Sequence, residues 1–245
     1  LATSTKLLRK TKKRLQTKNH NHYLIIAIKP SETGGLCFLL PFGHEMLQMA
    51  TNKILRCRFT PFSNYLMKNK ELWKPSQIQK TADGRFIGSH MHKILGYSHE
   101  PIIRKYAKGI LADVGCGNVP YYLLYKDYVD DNICVDWGRE DGEISFLDHV
   151  ADLNRDTIPV ETNKVDTILC TDVLEHISQP EHLFSEMARI MKPGGHMILT
   201  VPFMYWIHDS PYDYHRYTKF KLADFCERNG LEVVEISKYG GLPEV

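Results

Sequence analysis

The sequence contains no run of roughly 18 apolar residues, the minimum for a membrane-spanning helix. Its two N-terminal apolar stretches, Tyr23 to Ile28 and Leu36 to Leu40, are separated by Lys29-Pro30 and Gly34-Gly35. A basic start before an apolar patch has the outline of a signal peptide, but the patch is too short and no cleavage site follows. The six cysteines, at 37, 57, 116, 134, 170 and 226, show no CxxC spacing and no paired framework. They read as reduced, small apolar side chains, so the expected compartment is cytoplasmic. Acidic residues are missing from positions 1–30, which carry eight Lys or Arg; the remainder holds 23 basic against 29 acidic residues. The basic character is therefore a tail on an acidic body, which argues against a nucleic-acid channel through that body.

What is present is an alternation of short apolar runs that end in acids or glycines. Ile110-Leu111-Ala112-Asp113-Val114 leads into Gly115-Cys116-Gly117-Asn118. This is the pattern of a buried parallel strand entering a tight turn, where a ligand can lie against bare backbone. Asn132-Ile133-Cys134-Val135-Asp136-Trp137 follows. Its carboxylate comes about 20 residues after the glycine turn, where it can take both hydroxyls of a ribose. Val150-Ala151-Asp152-Leu153, then Val165 to Cys170 running into Thr171-Asp172-Val173-Leu174-Glu175-His176, and then His196 to Pro202 complete a series of strands. Helical patterns separate them. The polar residues collect at strand C-termini, the edge at which open α/β sheets bind ligands. A nicotinamide dehydrogenase fits poorly, because its fingerprint wants G-x-G-x-x-G and the third glycine position, counted from Gly115, holds Pro120.

At 245 residues, 43% hydrophobic and 24% charged, the chain suffices for one α/β domain with an appendage. Residues 1–85 are expected as a basic tail, Lys6 to Lys18, and a mainly helical extension, with amphipathic helices over 45–58 and 63–74. Residues 86–245 are expected as the domain carrying the chemistry. Within it, Ser98 reads as an N-cap with Pro101 in the first turn and Gly109 as the stop. Ser178-Gln179-Pro180-Glu181 reads as a capping box before the buried stripe Leu183, Phe184, Met187, Ile190 and Met191.

Residues from about 95 to 245 resemble the class I S-adenosylmethionine-dependent methyltransferases often called type 11. Asp113 to Gly117 is similar to their first motif, Asp136 to their ribose-binding acid, and Asp152-Leu153 to their adenine-edge contact. Thr171 to His176 is similar to their "LEH" segment, and Lys192-Pro193-Gly194-Gly195 to their "LKPGG" turn. One departure is Val119, where the family usually has a third glycine.

The resemblance implies an α/β, Rossmann-like sheet with helices on both faces. It also implies a last antiparallel strand that the chain, ending at Val245, stops too soon to supply. S-adenosyl-L-methionine is the implied cofactor. Asp113, Gly115, Cys116, Gly117, Asp136, Trp137, Asp152, Leu153, Thr171 and Asp172 are the residues implied to hold it. Two patches at the sheet edge offer bases for methyl transfer to a hydroxyl. One contains His176. The other runs from His208 to Tyr217 with Asp213, His215 and Arg216, and resembles the P-x-D-Y-x-R-Y-T segment of methyltransferases of surface-polysaccharide and lipid biosynthesis. The implied acceptor is a small molecule or glycan-type precursor.

Asp172, Glu175 and His176 fall at i, i+3 and i+4, with His208 a further candidate. This looks like the metal-binding pattern of small-RNA and ubiquinone-pathway methyltransferases, but magnesium wants mainly oxygen ligands, and the expected site is metal-free. The alternatives are a divalent-metal RNA 2′-hydroxyl methyltransferase and a non-catalytic cofactor-binding or scaffold module. For the basic tail, contact with an anionic surface competes with a solvated, frayed segment.

Overall fold

The computed structural model describes residues 22–30, 77–138 and 147–240. The helices expected over 45–58 and 63–74, and the basic tail, lie outside them.

Seven strands form one sheet. In chain order they are β1 (His22–Ile28), β4 (Ile110–Val114), β5 (Asp131–Asp136), β6 (His149–Val150), β7 (Val165–Thr171), β8 (Met191–Pro202) and β9 (Glu232–Tyr239). A separate two-stranded ribbon pairs β2 (Gln79–Lys80) with β3 (Phe86–Ile87). The spatial order of the sheet is β6-β5-β4-β7-β8-β1-β9. Strands β6, β5, β4, β7 and β8 run parallel. Strand β1 is antiparallel to both of its neighbours, β8 and β9.

The slot expected to be empty is therefore filled, and from the N-terminal side. His22-Tyr-Leu-Ile-Ile-Ala-Ile is apolar on both faces, as a strand buried between two others must be, and every residue from His22 to Ala27 is buried. Its register sets His22 against Pro202 and Tyr239. Beyond the other end of the strand, Lys29 exchanges backbone bonds with Gly194 and Gly195. The Lys29 ammonium donates to Asn163 Oδ1 at 2.7 Å and to the Met191 carbonyl at 2.9 Å. The strand lies within residues 1–85, where an extension separate from the domain was expected.

Side-chain alternation divides the core into two layers. Tyr23, Ile25, Ala112, Val114, Ile168, Cys170, Met197 and Leu199 face one way. They pack on α3 (Pro180–Ile190) and α4 (Lys219–Arg228), through Leu183, Phe184, Met187 and Ile190 and through Leu222 and Phe225. Leu24, Ile26, Leu111, Leu169 and Ile198 face the other way, toward α1 (His90–Tyr106) and the short α2 (Tyr122–Tyr125).

Two helix starts differ from the sequence reading. The cap of α1 is Ser89, whose hydroxyl accepts from the His92 amide at 3.2 Å, and Pro101 lies inside the helix. Proline marks a first turn only when the preceding turn is not itself capped, and here a better cap stood upstream. Helix α3 has Gln179 at the N-cap with no side-chain cap bond. Ser178 instead donates its hydroxyl to Asn154 Oδ1 at 2.8 Å.

Candidate active site

The C-terminal ends of β4, β5, β7 and β8 bring the candidate residues to one edge. Gly115 and Gly117 hold left-handed φ of +70° and +52°. A Cβ on Gly115 would meet Val173 Cγ2 at 2.5 Å, whereas one on Gly117 would meet nothing within 4 Å. The turn is thus closed below by packing and open above Gly117. Val119, at the family's third glycine position, is fully buried and also left-handed, with φ +48°. The backbone keeps the glycine conformation and accepts roughly 1 kcal/mol or more of strain for an apolar side chain in the core.

Asp136 closes the turn laterally. Its Oδ2 accepts from the Gly117 amide at 2.6 Å and its Oδ1 from the Trp137 amide at 2.7 Å. Trp137 is exposed and meets the Tyr212 ring edge-on at 5.3 Å. Asp113 is buried and accepts from the Tyr125 hydroxyl at 3.2 Å. Cys116 is a buried thiol held well above its ordinary pKa by its hydrogen bond with Cys134 and by burial. Asp152 spends its carboxylate on an Asx turn with the Asn154 amide at 3.0 Å and on Arg155 at 3.1 Å. Leu153 is buried in the core rather than open to the edge.

Thr171 ends β7, and Asp172 follows in a left-handed conformation, φ +52°. The Thr200 hydroxyl donates to Asp172 Oδ1 at 3.1 Å. Desolvation nonetheless pushes the Asp172 carboxyl up to about 6. Glu175, in the turn Leu174–His176, is wholly buried, and neither carboxyl oxygen has a hydrogen-bond partner among the described residues. Burial, with Asp172 nearby, holds its carboxyl well above the usual range. Its environment therefore favours the protonated form relative to an ordinary carboxyl.

Two imidazoles flank that acid. His176 Nδ1 lies 2.9 Å from the Tyr212 carbonyl. A carbonyl only accepts, so Nδ1 carries the proton and Nε2 keeps its lone pair. His208 Nδ1 lies 3.3 Å from Asp213 Oδ2 and 3.4 Å from the Trp206 carbonyl, which imposes the same tautomer. Both Nε2 atoms lie 3.8 Å from Glu175 Oε1, and the two rings meet edge-on at 4.8 Å.

Asp213 is in turn fixed by Arg216, which donates to it at 2.5 and 2.8 Å, and by the His208 amide at 3.0 Å. Those bonds hold the Asp213 carboxyl well below the usual range. Arg216 also donates to the Trp206 carbonyl at 3.1 Å and to the His215 carbonyl at 2.8 Å, so its guanidinium pins the loop. His215 packs against the rings of Tyr214 and Tyr217. Asp213, Arg216 and His208 thus form one chain of contacts that reaches Glu175 and His176.

Glu175, His176 and His208 could each offer one ligand atom to a metal, the three lying within 4.8 Å of one another. One carboxylate and two imidazoles supply too few oxygens for magnesium and suit a softer divalent ion better.

Residues that sequence reasoning missed are His22, Thr200 and Tyr239, which reach this edge from β1, β8 and β9. The apolar run after His22 was the only signal for the first, and it read as a patch too short to span a membrane.

Residues 101–236 match the family model described as a methyltransferase domain. The ubiquinone biosynthesis O-methyltransferase of Cupriavidus pinatubonensis is 29% identical over 93 residues, covering 31% of this chain and 37% of that protein. The ubiquinone biosynthesis O-methyltransferase of Vibrio atlanticus is 25% identical over 151 residues, covering 51% of this chain and 61% of that protein. This chain thus spans less than two thirds of either relative. Among solved structures, a SAM-dependent methyltransferase from Archaeoglobus fulgidus aligns with TM-score 0.47 at 19% identity, over 58% of this chain and 69% of that one. One from Aquifex aeolicus aligns with TM-score 0.43 at 16% identity, over 71% and 89%. Among the described residues no helix is long and apolar enough to cross a membrane.

Proposed function

The chain belongs to the family described as a methyltransferase domain, and from that premise we propose that it is a class I S-adenosylmethionine-dependent enzyme that methylates a hydroxyl of a small-molecule acceptor. The observation that carries this reading is the turn open above Gly117 and bordered by Asp136. The residues present suit the cofactor. The Gly115–Gly117 backbone leaves room for its methionine portion, Asp136 can take the ribose hydroxyls, and the exposed Trp137 ring can cover the adenine. Asp152 and Leu153 are weaker candidates, one spent on an Asx turn and the other in the core.

When bound, S-adenosylmethionine supplies a methyl carbon whose bond to sulfur breaks toward sulfur as the acceptor oxygen attacks. The protein's work is alignment and removal of the hydroxyl proton. His208 is the preferred base. Asp213 holds its Nδ1 and stabilises the imidazolium that forms, and Arg216 holds Asp213; this is the orienting logic of a carboxylate–imidazole dyad. His176, oriented by a backbone carbonyl, is the second candidate, and His215 packs instead against Tyr214 and Tyr217.

The grouping of Glu175, His176 and His208 favours a second reading, in which a divalent metal polarises the acceptor oxygen. An RNA 2′-hydroxyl acceptor would belong to that reading, and the acidic body counts against it. A non-catalytic module would bind the cofactor without turnover.

Calorimetry with S-adenosylmethionine and S-adenosylhomocysteine, followed by transfer of a labelled methyl to a mixed pool of hydroxylated acceptors, tests the proposal. Micromolar binding with turnover is expected. Binding without turnover on any pool would replace the enzyme with a binding module, and no binding by folded protein would overturn both.

A further inference from the structure

At the same sheet edge, on the β8-β1-β9 side, lies a pocket of about 260 Å³ lined by His22, Met91, Ile94, Tyr205, Trp206 and Tyr239. Four segments remote in sequence make it: the start of β1, the first turns of α1, the loop after β8 and the end of β9. Its walls are aromatic. Tyr205 and Trp206 stack at 4.5 Å, and His22 stacks on Tyr239 at 4.9 Å and meets Tyr205 edge-on at 5.7 Å. Tyr205 also meets the His208 ring at 5.3 Å, so the pocket shares a wall with the imidazole pair.

Two polar groups in that wall stand out, the His22 imidazole and the Tyr239 hydroxyl, each with a buried atom that lacks a hydrogen-bond partner among the described residues. His22 is 8% exposed, yet its Nδ1 has no hydrogen-bond partner among the described residues. Buried polar atoms are normally paired, and this unpaired one belongs to a ring that lines the cavity. Burial lowers the imidazole to about 4, so the ring is neutral at neutral pH and offers one donor and one acceptor but no charge.

The volume restricts the occupant. An apolar cavity of about 150 Å³ holds benzene, so this pocket has room for a substituted ring, whereas a nucleotide-linked sugar would have to extend out of it. Among the described residues its lining holds no Lys, Arg, Asp or Glu, although His90 also borders it, and Arg216, the nearby cation best suited to a phosphate, is committed to Asp213 and to backbone carbonyls.

We propose that this pocket seats the methyl acceptor, that the acceptor is an uncharged flat ring bearing a hydroxyl or carbonyl, and that His22 is its positioning residue. The inference rests on the methyltransferase reading and narrows it, away from glycan or phosphorylated acceptors. It also gives the N-terminal strand a task in the site: β1 fills the antiparallel slot and carries a specificity-determining imidazole to the ligand edge.

The test is a titration of 2-naphthol into the full chain saturated with S-adenosylhomocysteine, read by tryptophan fluorescence and calorimetry. Four proteins are compared: wild type, His22→Phe, His22→Gln and Ile94→Trp. Phenylalanine keeps the stack on Tyr239 and removes the ring nitrogens, whereas glutamine keeps a donor and an acceptor. His22→Phe is expected to weaken 2-naphthol binding about tenfold, His22→Gln to recover most of it, and Ile94→Trp to abolish it by filling the pocket. Affinity for S-adenosylhomocysteine should stay within about twofold throughout, since these residues lie away from Gly117. Equal 2-naphthol affinity in all four proteins would overturn the proposal, as would tighter binding of UDP-glucose than of 2-naphthol. Failure of S-adenosylhomocysteine to bind folded wild type would instead overturn the methyltransferase reading beneath it.

Discussion

The Gly117 amide donates to Asp136 Oδ2 at 2.6 Å, so the glycine turn and the acid at the end of β5 form one unit. A carboxylate that already organises the turn is well placed to hold a ribose, because its position is fixed before the ligand arrives. Asp136→Ala should remove two charge-assisted contacts, each worth about 1.5–3 kcal/mol, and should also loosen the turn. The expected result is a loss of S-adenosylhomocysteine affinity of about a hundredfold or more, measured by calorimetry. Unchanged affinity would place the ribose elsewhere.

The acids behind the site give stability a pH dependence of definite sign. The Asp172 carboxyl rises from its ordinary 3.8 to about 6 through desolvation. A raised pKa means the folded state holds the proton more tightly. The stability this contributes is complete below about pH 4 and is lost as pH rises through about 6, an effect of roughly 3 kcal/mol. Asp213, held low by Arg216, behaves oppositely: its contribution is present above the ordinary carboxylate range and is lost as pH falls below that range toward the depressed folded value. Asp172→Asn keeps an acceptor for the Thr200 hydroxyl and never ionises. Its thermal midpoint should exceed that of wild type at pH 7, with the difference closing as pH falls below about 4. A difference that does not vary with pH would show that Asp172 ionises without cost.

The order of motifs made the parallel part of the sheet legible. Strands β4, β5, β7 and β8 each contain a local apolar run with its own terminator, and Asp113, the Gly115–Gly117 turn, Asp136 and Asp172 all reach the expected edge. The filling of the antiparallel slot was not legible. It pairs His22–Ile28 with partners near 200 and 235, and such pairing is decided by the edges left open in the folded sheet rather than by any local pattern. His22 and Tyr239 were missed for the same reason. The orienting bonds of His176 and His208 were also out of reach, since they end on backbone carbonyls and on a carboxylate that sequence alone ranked equally with the bases.

That non-local strand makes a direct prediction for stability. Ile25 is fully buried between β8 and β9 and belongs to the core layer facing α3 and α4. Ile25→Ala should cost about 2–5 kcal/mol, the range for opening a cavity at a buried aliphatic site. Denaturant titration of the full chain would measure it, with the m-value expected to stay constant. A loss below about 0.5 kcal/mol would mean that β1 is not packed as the structure has it, because surface substitutions fall in that range.

The carboxylate–imidazole pair makes the last prediction. Asp213 Oδ2 lies 3.3 Å from His208 Nδ1, and its side chain is 2% exposed. If His208 Nε2 takes the acceptor's proton, the positive charge that develops on the ring is stabilised by Asp213, and the stabilisation exists only in the transition state. Asp213→Asn preserves size but removes that charge, and it leaves Arg216 without its ion pair. The turnover number should fall about a hundredfold, within the usual range for general-base contributions, while S-adenosylhomocysteine affinity changes little. His208→Ala should fall at least as far, and the double substitution no further than the larger single one, since the two residues act as a unit. The same assays run with and without EDTA separate the base from the metal. A chelator that stops wild type, with Asp213→Asn nearly unaffected in turnover, would transfer the role to a divalent ion on Glu175, His176 and His208.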